Sequence, residues 1–480
     1  MKRLAAVAMI LLMATPALSE DGTANETPGA PLGGQRVAPS VPVEGKDTLT
    51  LVQVIECALK KSPVLAQSAK NVEVEGYGIL SAKADRMPKV DFLSAVTRYR
   101  YPTPVTPITG FPSPRPGGVI DSSGFPRFDE TILDTGLAFR LPLYKGGRLQ
   151  RAVHIAEMRK VLAEDNLGVT RQELIYNVTS VYYKICQLEK LVQAHEAGVR
   201  QLELHRRNAE SLLQAGSVPR VDLLKTDVEL AHARQDLLLV QNSVASAYAL
   251  LKGLMGMEDQ EPTFAIVHDL ATPSSVWGEA CKRSGEALRE VTENALTRRP
   301  EHRALVQRIR IAEERVKVAQ GKRLPEIALS GEVSERSGED LNYEDNWNVS
   351  LRVTVPIVDG GSIAAEVKRE RAELAKLRDE ERELRINVAR EIKDALLAME
   401  NAEKRVEVAR ESIGAARENL RVERLKYEAG AGTSADVIDA RTALVRTETE
   451  HYQGLYDRNI AVTSLRKALG EDLFGWEWNR

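Results

Sequence analysis

The chain has 480 residues, of which 28% are charged and only 5% aromatic, with a formal net charge of -3. That balance leaves no basic footprint for nucleic acid and suits long helices better than a compact enzyme. Cys57, Cys186 and Cys281 lie far apart and form no CxxC or zinc pattern. Inert thiols and a single disulfide both fit them.

The N-terminus opens with Lys2 and Arg3, runs through the 11 apolar residues LAAVAMILLMA, and reaches the small residues Ala17 and Ser19 before Glu20. The apolar run is too short to span a bilayer, and the pattern reads as a cleaved secretory signal over residues 1–19. No cysteine follows the cut to carry a lipid. Residues 20–47, rich in Pro, Gly and Ala, read as a flexible leader. Beyond them no uninterrupted apolar run reaches 18 residues, so no transmembrane helix is expected.

The rest is written twice. At an offset of 237, Ala58-Leu59 meets Ala295-Leu296, Pro63 meets Pro300 and Pro88 meets Pro325. At an offset of 214, Pro142 meets Pro356, Gly146-Gly147 meets Gly360-Gly361, Ala215-Gly216 meets Ala429-Gly430, and Gly256 meets Gly470. Offsets that hold without gaps over such lengths indicate a duplication. The 23 extra residues of the first copy fall between Pro88 and Pro142, where seven prolines from Pro102 to Pro126 mark a surface loop between two strands.

The first repeat, residues 48–256, opens with a helical pattern to Lys61, broken at KSP. A helix to Arg86, two strands (about 89–101 and 128–143) and LPLYKGG follow. The next helix runs from Arg148 to Ala215, about 100 Å at ~1.5 Å per residue. In it Leu174, Val178, Val181, Ile185, Leu188 and Val192 alternate by four and three, a coiled-coil seam. An Ala-Gly break at 215–222 precedes a last helix to Gly256. The helices flanking the strands and the break add up to about 91 Å, close to the long helix, so the breaks read as hairpin tips remote from the strands. A linker (257–284), a second repeat (285–472; strands about 325–335 and 344–357, tip 429–436) and a tail (473–480) complete the chain.

The strands alternate. Trp347, Val349, Leu351, Val353, Val355 and Ile357 face one way, and Asn346, Asn348, Ser350, Arg352 and Thr354 the other. Leu133, Leu137, Phe139, Leu141 and Leu143, and also Ile327, Leu329 and Val333, repeat the pattern. Such strands suit a membrane barrel with a wet interior and also a soluble sandwich with one solvated face; alternation alone favours the sandwich, and the signal sequence and the long helices favour the barrel. Lipid tolerates no open sheet edge. If the strands span a membrane, several chains must pool them, and three chains with twelve strands give the smallest open pore.

No catalytic constellation appears: no HExxH, no GxSxG, no phosphate-cradling loop. His154, His195 and His205 read as solvated side chains of one charged helix. No cofactor and no metal site is expected.

The chain resembles the TolC family of outer-membrane efflux and secretion ducts. The resemblance rests on the duplicated order of elements, on LPLYKGG and VPIVDGG where strands meet helices, and on RLKYEAGAGTSADVIDARTAL, similar to the family's tip motif. It implies a mainly helical fold with a small β part. Internally duplicated hairpins would form an α-barrel, and four strands per chain a 12-stranded β-barrel in a homotrimer. It implies a passive conduit, in outer-membrane lipid and reaching into the periplasm, that serves a tripartite efflux pump or type I secretion system. Its partners would be a periplasmic adaptor and an inner-membrane transporter. By the same resemblance Tyr427, Asp436, Asp439 and Asp222 form a gate, and Gly216, Gly430, Gly432 and Thr433 lie at adaptor-contacting tips. The family prototype carries an arginine where this chain has Gly432, so closure is expected to be held differently here, or more loosely.

Residue chemistry leaves alternatives open. Asp436 and Asp439, three apart, share a helix face, and threefold symmetry would make rings of carboxylate that favour cations. Thr433 and Asp436 also form a capping box, which explains Asp436 without a ring, and Tyr427 could simply pack within its hairpin. A soluble periplasmic coiled-coil scaffold or adaptor is the alternative to a duct.

Overall fold

The computed structural model describes residues 48–105, 127–257, 264–268 and 285–471. The expected signal, leader and tail, and most of the proline-rich loop and linker, with Cys281, lie outside these residues. In chain order the elements are β1 (Thr48–Leu49), α1 (Leu51–Lys61), α2 (Pro63–Ala84), β2 (Lys89–Pro104), β3 (Phe128–Lys145), α3 (Arg148–Gln214), α4 (Arg220–Met255), β4 (Ala265–Ile266), α5 (Gly285–Arg298), α6 (Pro300–Gly321), β5 (Glu326–Ser337), β6 (Glu344–Thr354), α7 (Ser362–Glu428) and α8 (Ser434–Ala468). The fold is mainly helical with a small β part, and it divides into two units.

The smaller unit contains one antiparallel sheet, ordered β2-β3-β5-β6. Its register decides what each face presents. Phe92 pairs with Leu137, Leu137 with Val333, and Val333 with Trp347. Val96 pairs with Leu133, Leu141 with Leu329, and Leu329 with Leu351. Because side chains alternate along a strand, these pairings gather the apolar residues of all four strands on one face. On the other, Glu332 lies beside Asn348 and Ser330 beside Ser350, the two hydroxyls 2.9 Å apart. The apolar face is uncovered, with Phe92 69% and Trp347 70% exposed. β2 and β6 are edges, each with a partner on one side only. β6 stops at Thr354, short of the expected Ile357, since Pro356 has no amide to donate. Each double glycine then turns the chain from strand to helix with positive φ, 60° and 72° at Gly146-Gly147 and 64° and 86° at Gly360-Gly361.

The larger unit holds the helical hairpins, α3 with α4 and α7 with α8. Each repeat builds its own core from corresponding positions. Val54, Ala58, Leu174, Val178, Leu251 and Met255 meet in the first core. At the same offsets Val291, Ala295, Val388, Ile392, Leu465 and Leu469 meet in the second. Four of the six expected seam residues of α3 are buried: Leu174, Val178, Ile185 and Leu188. In the first core Tyr182 donates its hydroxyl hydrogen to the carbonyl of Val267, beside the short parallel pair β1-β4. Each hairpin also has an ion pair between equivalent positions with the charges exchanged. Arg234 reaches Glu203 at 2.7 Å, and Arg417 reaches Glu448 at 3.0 Å.

α4 has an apolar stretch of 18 residues with mean hydropathy 1.2, although only 6% of the stretch is buried. The sequence expectation rested on uninterrupted runs, and this stretch is interrupted by polar residues. Leu238, Leu239 and Leu250 of α4 are exposed.

Candidate functional site

The two tips are the same device built twice. At the first, the Gly216 amide donates to the Leu213 carbonyl at 3.0 Å and the Ser217 amide to the Leu212 carbonyl at 2.9 Å. At the second, Gly430 donates to Tyr427 at 3.0 Å and Ala431 to Lys426 at 2.8 Å. This paired closure of the last helical turn needs a left-handed residue, and both glycines have φ 73°. A Cβ on either would meet nothing, so backbone conformation alone demands glycine. Gly432 differs: its φ is not positive, but a Cβ would lie 3.1 Å from Cβ of Lys426 and 3.3 Å from the Tyr427 amide nitrogen.

The helices restart differently. The Asp436 amide donates to Thr433 Oγ1 at 3.3 Å, and the Thr433 amide donates to Asp436 Oδ2 at 2.9 Å. This reciprocal box satisfies helix donors that would otherwise lack partners. α4 starts after Pro219 with no side-chain cap, and the Asp222 amide donates to the Pro219 carbonyl at 3.1 Å. Each helix thus carries an acid, Asp222 or Asp436, in its first turn, where the helix dipole favours negative charge.

Asp436 and Asp439 are both exposed on α8. The hydroxyl and amide of Thr433 hold the Asp436 carboxyl below the usual carboxylate range. Asp439 lines a shallow cleft with Ile438, Leu224, Lys225 and Val228. Tyr427 is only 2% exposed and packs with Ala209 and Val437. Its ring is therefore inside the helical packing of the protomer, the packing alternative of the sequence reading. Its hydroxyl is buried without a hydrogen-bond partner among the described residues. Burial, and then the charge of Asp222, push the Tyr427 phenol above its ordinary pKa.

The sequence reading missed a buried polar cluster beside Tyr427. His205 is buried rather than solvated, 6% exposed, and its ring centre lies 4.8 Å from that of Tyr427. His205 Nε2 meets Ser434 Oγ at 2.9 Å, and Ser434 Oγ meets Thr226 Oγ1 at 3.1 Å. The Thr226 hydroxyl donates onward to the Asp222 carbonyl at 2.8 Å. One residue from each of α3, α4 and α8 thus closes a chain of hydrogen bonds that ties the two hairpins together. Burial lowers the His205 pKa; Asp222 and Glu428 oppose the shift and Arg424 adds to it. The available signal was spacing: Leu202, His205 and Ala209 are three and four apart and continue the buried seam.

A sheet with one continuous apolar face, borne by a chain that twice folds a long hairpin, defines the class of an outer-membrane channel subunit. The chain belongs to the outer membrane efflux protein family, whose model matches residues 54–257 and 291–471. It is similar to the outer membrane efflux protein BepC of Brucella suis, 22% identical over 424 residues, covering 88% of this chain and 85% of that protein. It is likewise similar to the outer membrane protein OprJ of Pseudomonas aeruginosa, 24% identical over 454 residues, covering 90% and 85%. The CmeC outer membrane channel of Campylobacter jejuni superposes with a TM-score of 0.71 at 16% identity, covering 93% of this chain and 96% of that one; this likeness shows the fold. The chain's place is accordingly the outer membrane, and its work is efflux.

Proposed function

We propose that three copies of the chain form one passive duct. The observation that carries this reading is the sheet, with its apolar face exposed and two edges unpaired. In lipid both edges need partners, and β6 of one copy paired antiparallel with β2 of the next would supply them. Three sheets of four strands make a twelve-stranded barrel with room for a pore. The exposed apolar residues of α4 support the same reading, since neighbouring protomers would cover them. The chain performs no catalysis. It takes its cargo from an inner-membrane transporter through a periplasmic adaptor that contacts Gly216, Gly430, Gly432 and Thr433, in a tripartite pump or a type I secretion system.

Gating belongs to the same proposal. Asp436 and Asp439, repeated by threefold symmetry, form carboxylate rings that select cations, with Asp222 as the acid of the first hairpin. Tyr427 acts from inside by fixing the angle at which α7 meets α8. The test is single-channel recording of the purified protein in planar bilayers, for wild type and Asp436→Ala/Asp439→Ala. Cation-selective channels whose selectivity falls in the double variant are expected. Channels indifferent to the change refute the acidic gate, and protein that never inserts and fractionates with soluble periplasm refutes the duct in favour of a scaffold.

A further inference from the structure

The two repeats meet inside the chain in a contact whose counterpart is left open. α3 of the first repeat lies antiparallel against α8 of the second. The Tyr176 hydroxyl lies 3.2 Å from Ser464 Oγ, Gln187 Nε2 donates to Gln453 Oε1, and His205 Nε2 meets Ser434 Oγ. By the repeat offset of 214, α3 corresponds to α7 and α8 to α4. The faces that α3 and α8 turn to each other are covered, and their counterparts on α7 and α4 are not. Gln187, Tyr183 and Ala194 of α3 are buried, whereas Asn401, Leu397 and Val408 of α7 are exposed. Gln453 and Ser464 of α8 are half-buried, whereas Leu239 and Leu250 of α4 are each 56% exposed.

The open faces are apolar. Among the described residues α8 exposes no large apolar side chain and α3 only Val161 and Leu204. α4 and α7 each carry a stripe instead: Val228, Leu239 and Leu250 on α4, and Ile386, Leu397 and Val408 on α7, both in steps of eleven residues. Eleven residues make three turns at ~3.67 residues per turn, so each series holds one face of its helix. Exposed apolar stripes of this kind mark a surface that another protein covers. Carried over by the offset, the register of α3 on α8 sets Leu239 opposite Asn401 and Leu250 opposite Arg390. Leu397 then falls between the levels of Leu239 and Leu250, and Val408 between those of Val228 and Leu239. The two stripes interdigitate, as packed helices do, and a slip of about one turn would set them head-on.

We propose that α4 of one copy packs antiparallel against α7 of the next copy, in the register that α3 and α8 adopt within the chain. The joint between copies thus repeats the joint between repeats, with the second repeat of each copy against the first repeat of its neighbour. A closed ring of three needs such a head-to-tail contact between two different surfaces, and α4 against α4 would not supply one. The strands follow the same rule, since β6 belongs to the second repeat and β2 to the first. The inference rests on the three-copy reading above and adds to it the helices, the register and the residues of the interface.

The test is disulfide trapping in the full-length protein in neutral detergent, read on denaturing gels, with oxidised wild type as the control for native cysteines. A disulfide needs close, facing positions. Leu239→Cys/Asn401→Cys is therefore expected to give covalent trimers, and Leu250→Cys/Asn401→Cys, one eleven-residue step out of register, none. Gln187→Cys/Gln453→Cys, the counterpart pair, is expected to link within one chain and add no higher band. Native mass spectrometry of the unoxidised variants separates the two ways of failing. A single-copy mass refutes the three-copy duct itself. A three-copy mass, with the internal pair linked and Leu239→Cys/Asn401→Cys unlinked, overturns the interface alone, and so does Leu239→Cys linking to itself as a dimer. Val408→Cys needs no disulfide geometry and is expected to lose maleimide labelling in the assembled protein. Ready labelling there would leave the α7 stripe to another protein, such as an adaptor, and would overturn the proposal.

Discussion

The ring of His205 on the first hairpin lies 4.8 Å from the ring of Tyr427 on the second. The contact sits at the tips, where the chain twice reverses, and both residues are almost wholly buried. The geometry of the tips is therefore set by packing between the two hairpins.

Tyr427→Phe removes a hydroxyl that has no partner and leaves the ring in place. It is expected to leave thermal stability within about 1 kcal/mol of wild type, or to raise it. Tyr427→Ala empties the site and should cost about 3–5 kcal/mol. Comparing the two melting curves checks the packing role, and an equal loss in both would mean that the hydroxyl has a partner after all.

Acid should loosen the helical unit. Burial lowers the pKa of His195, His205 and His451 from the ordinary 6.5. The unfolded chain therefore takes up protons first as pH falls, so their contribution is intact above about pH 6.5 and is lost as pH drops through the lower folded values. Thermal melts followed by circular dichroism at pH 8 and pH 5 should show the loss, and His205→Gln should flatten it.

The two tip acids should separate by experiment. Thr433→Ala removes a cap worth about 1 kcal/mol, and Asp436→Ala breaks the same reciprocal box, so both should speed hydrogen exchange of the first amides of α8. Asp439→Asn touches no cap and should leave exchange unchanged while lowering cation selectivity. Faster exchange in Asp439→Asn would assign that residue a structural part.

The sheet's two faces should respond oppositely to charge. Val349→Arg places a cation on the apolar face and should cost about 2–4 kcal/mol at mid-bilayer depth, emptying the outer-membrane fraction. Asn348→Arg, its neighbour on the polar face, should fractionate as wild type. Equal behaviour of the two would contradict a lipid-facing assignment.

Much of this was legible because it is local. Gly216 and Gly430 mark the tips in the sequence because a helix closed by the paired turn needs a left-handed residue, and that demand falls on one position. The alternation of Trp347, Val349 and Leu351 shows the two faces of β6 because a strand has period two. The duplicated offsets carry six positions of the first core, among them Val54, Val178 and Leu251, onto six of the second, among them Val291, Ile392 and Leu465.

Other features were decided only by tertiary structure. Whether the apolar residues of β2, β3, β5 and β6 share one face depends on register, and a slip of one residue between Val333 and Trp347 would have scattered them. His205 looked like a solvated residue of a charged helix until Ser434 and Thr226, 229 and 208 positions apart from His205 and Ser434 respectively, closed around it. The exchanged pairs Glu203–Arg234 and Arg417–Glu448 are likewise invisible in either helix alone. Backbone conformation and periodicity are written in neighbouring residues; burial and pairing are set by whichever distant segment the fold brings alongside, and for this chain those segments range from the other arm of the same hairpin, as for Glu203 and Arg234, to the other repeat, as for His205 and Ser434.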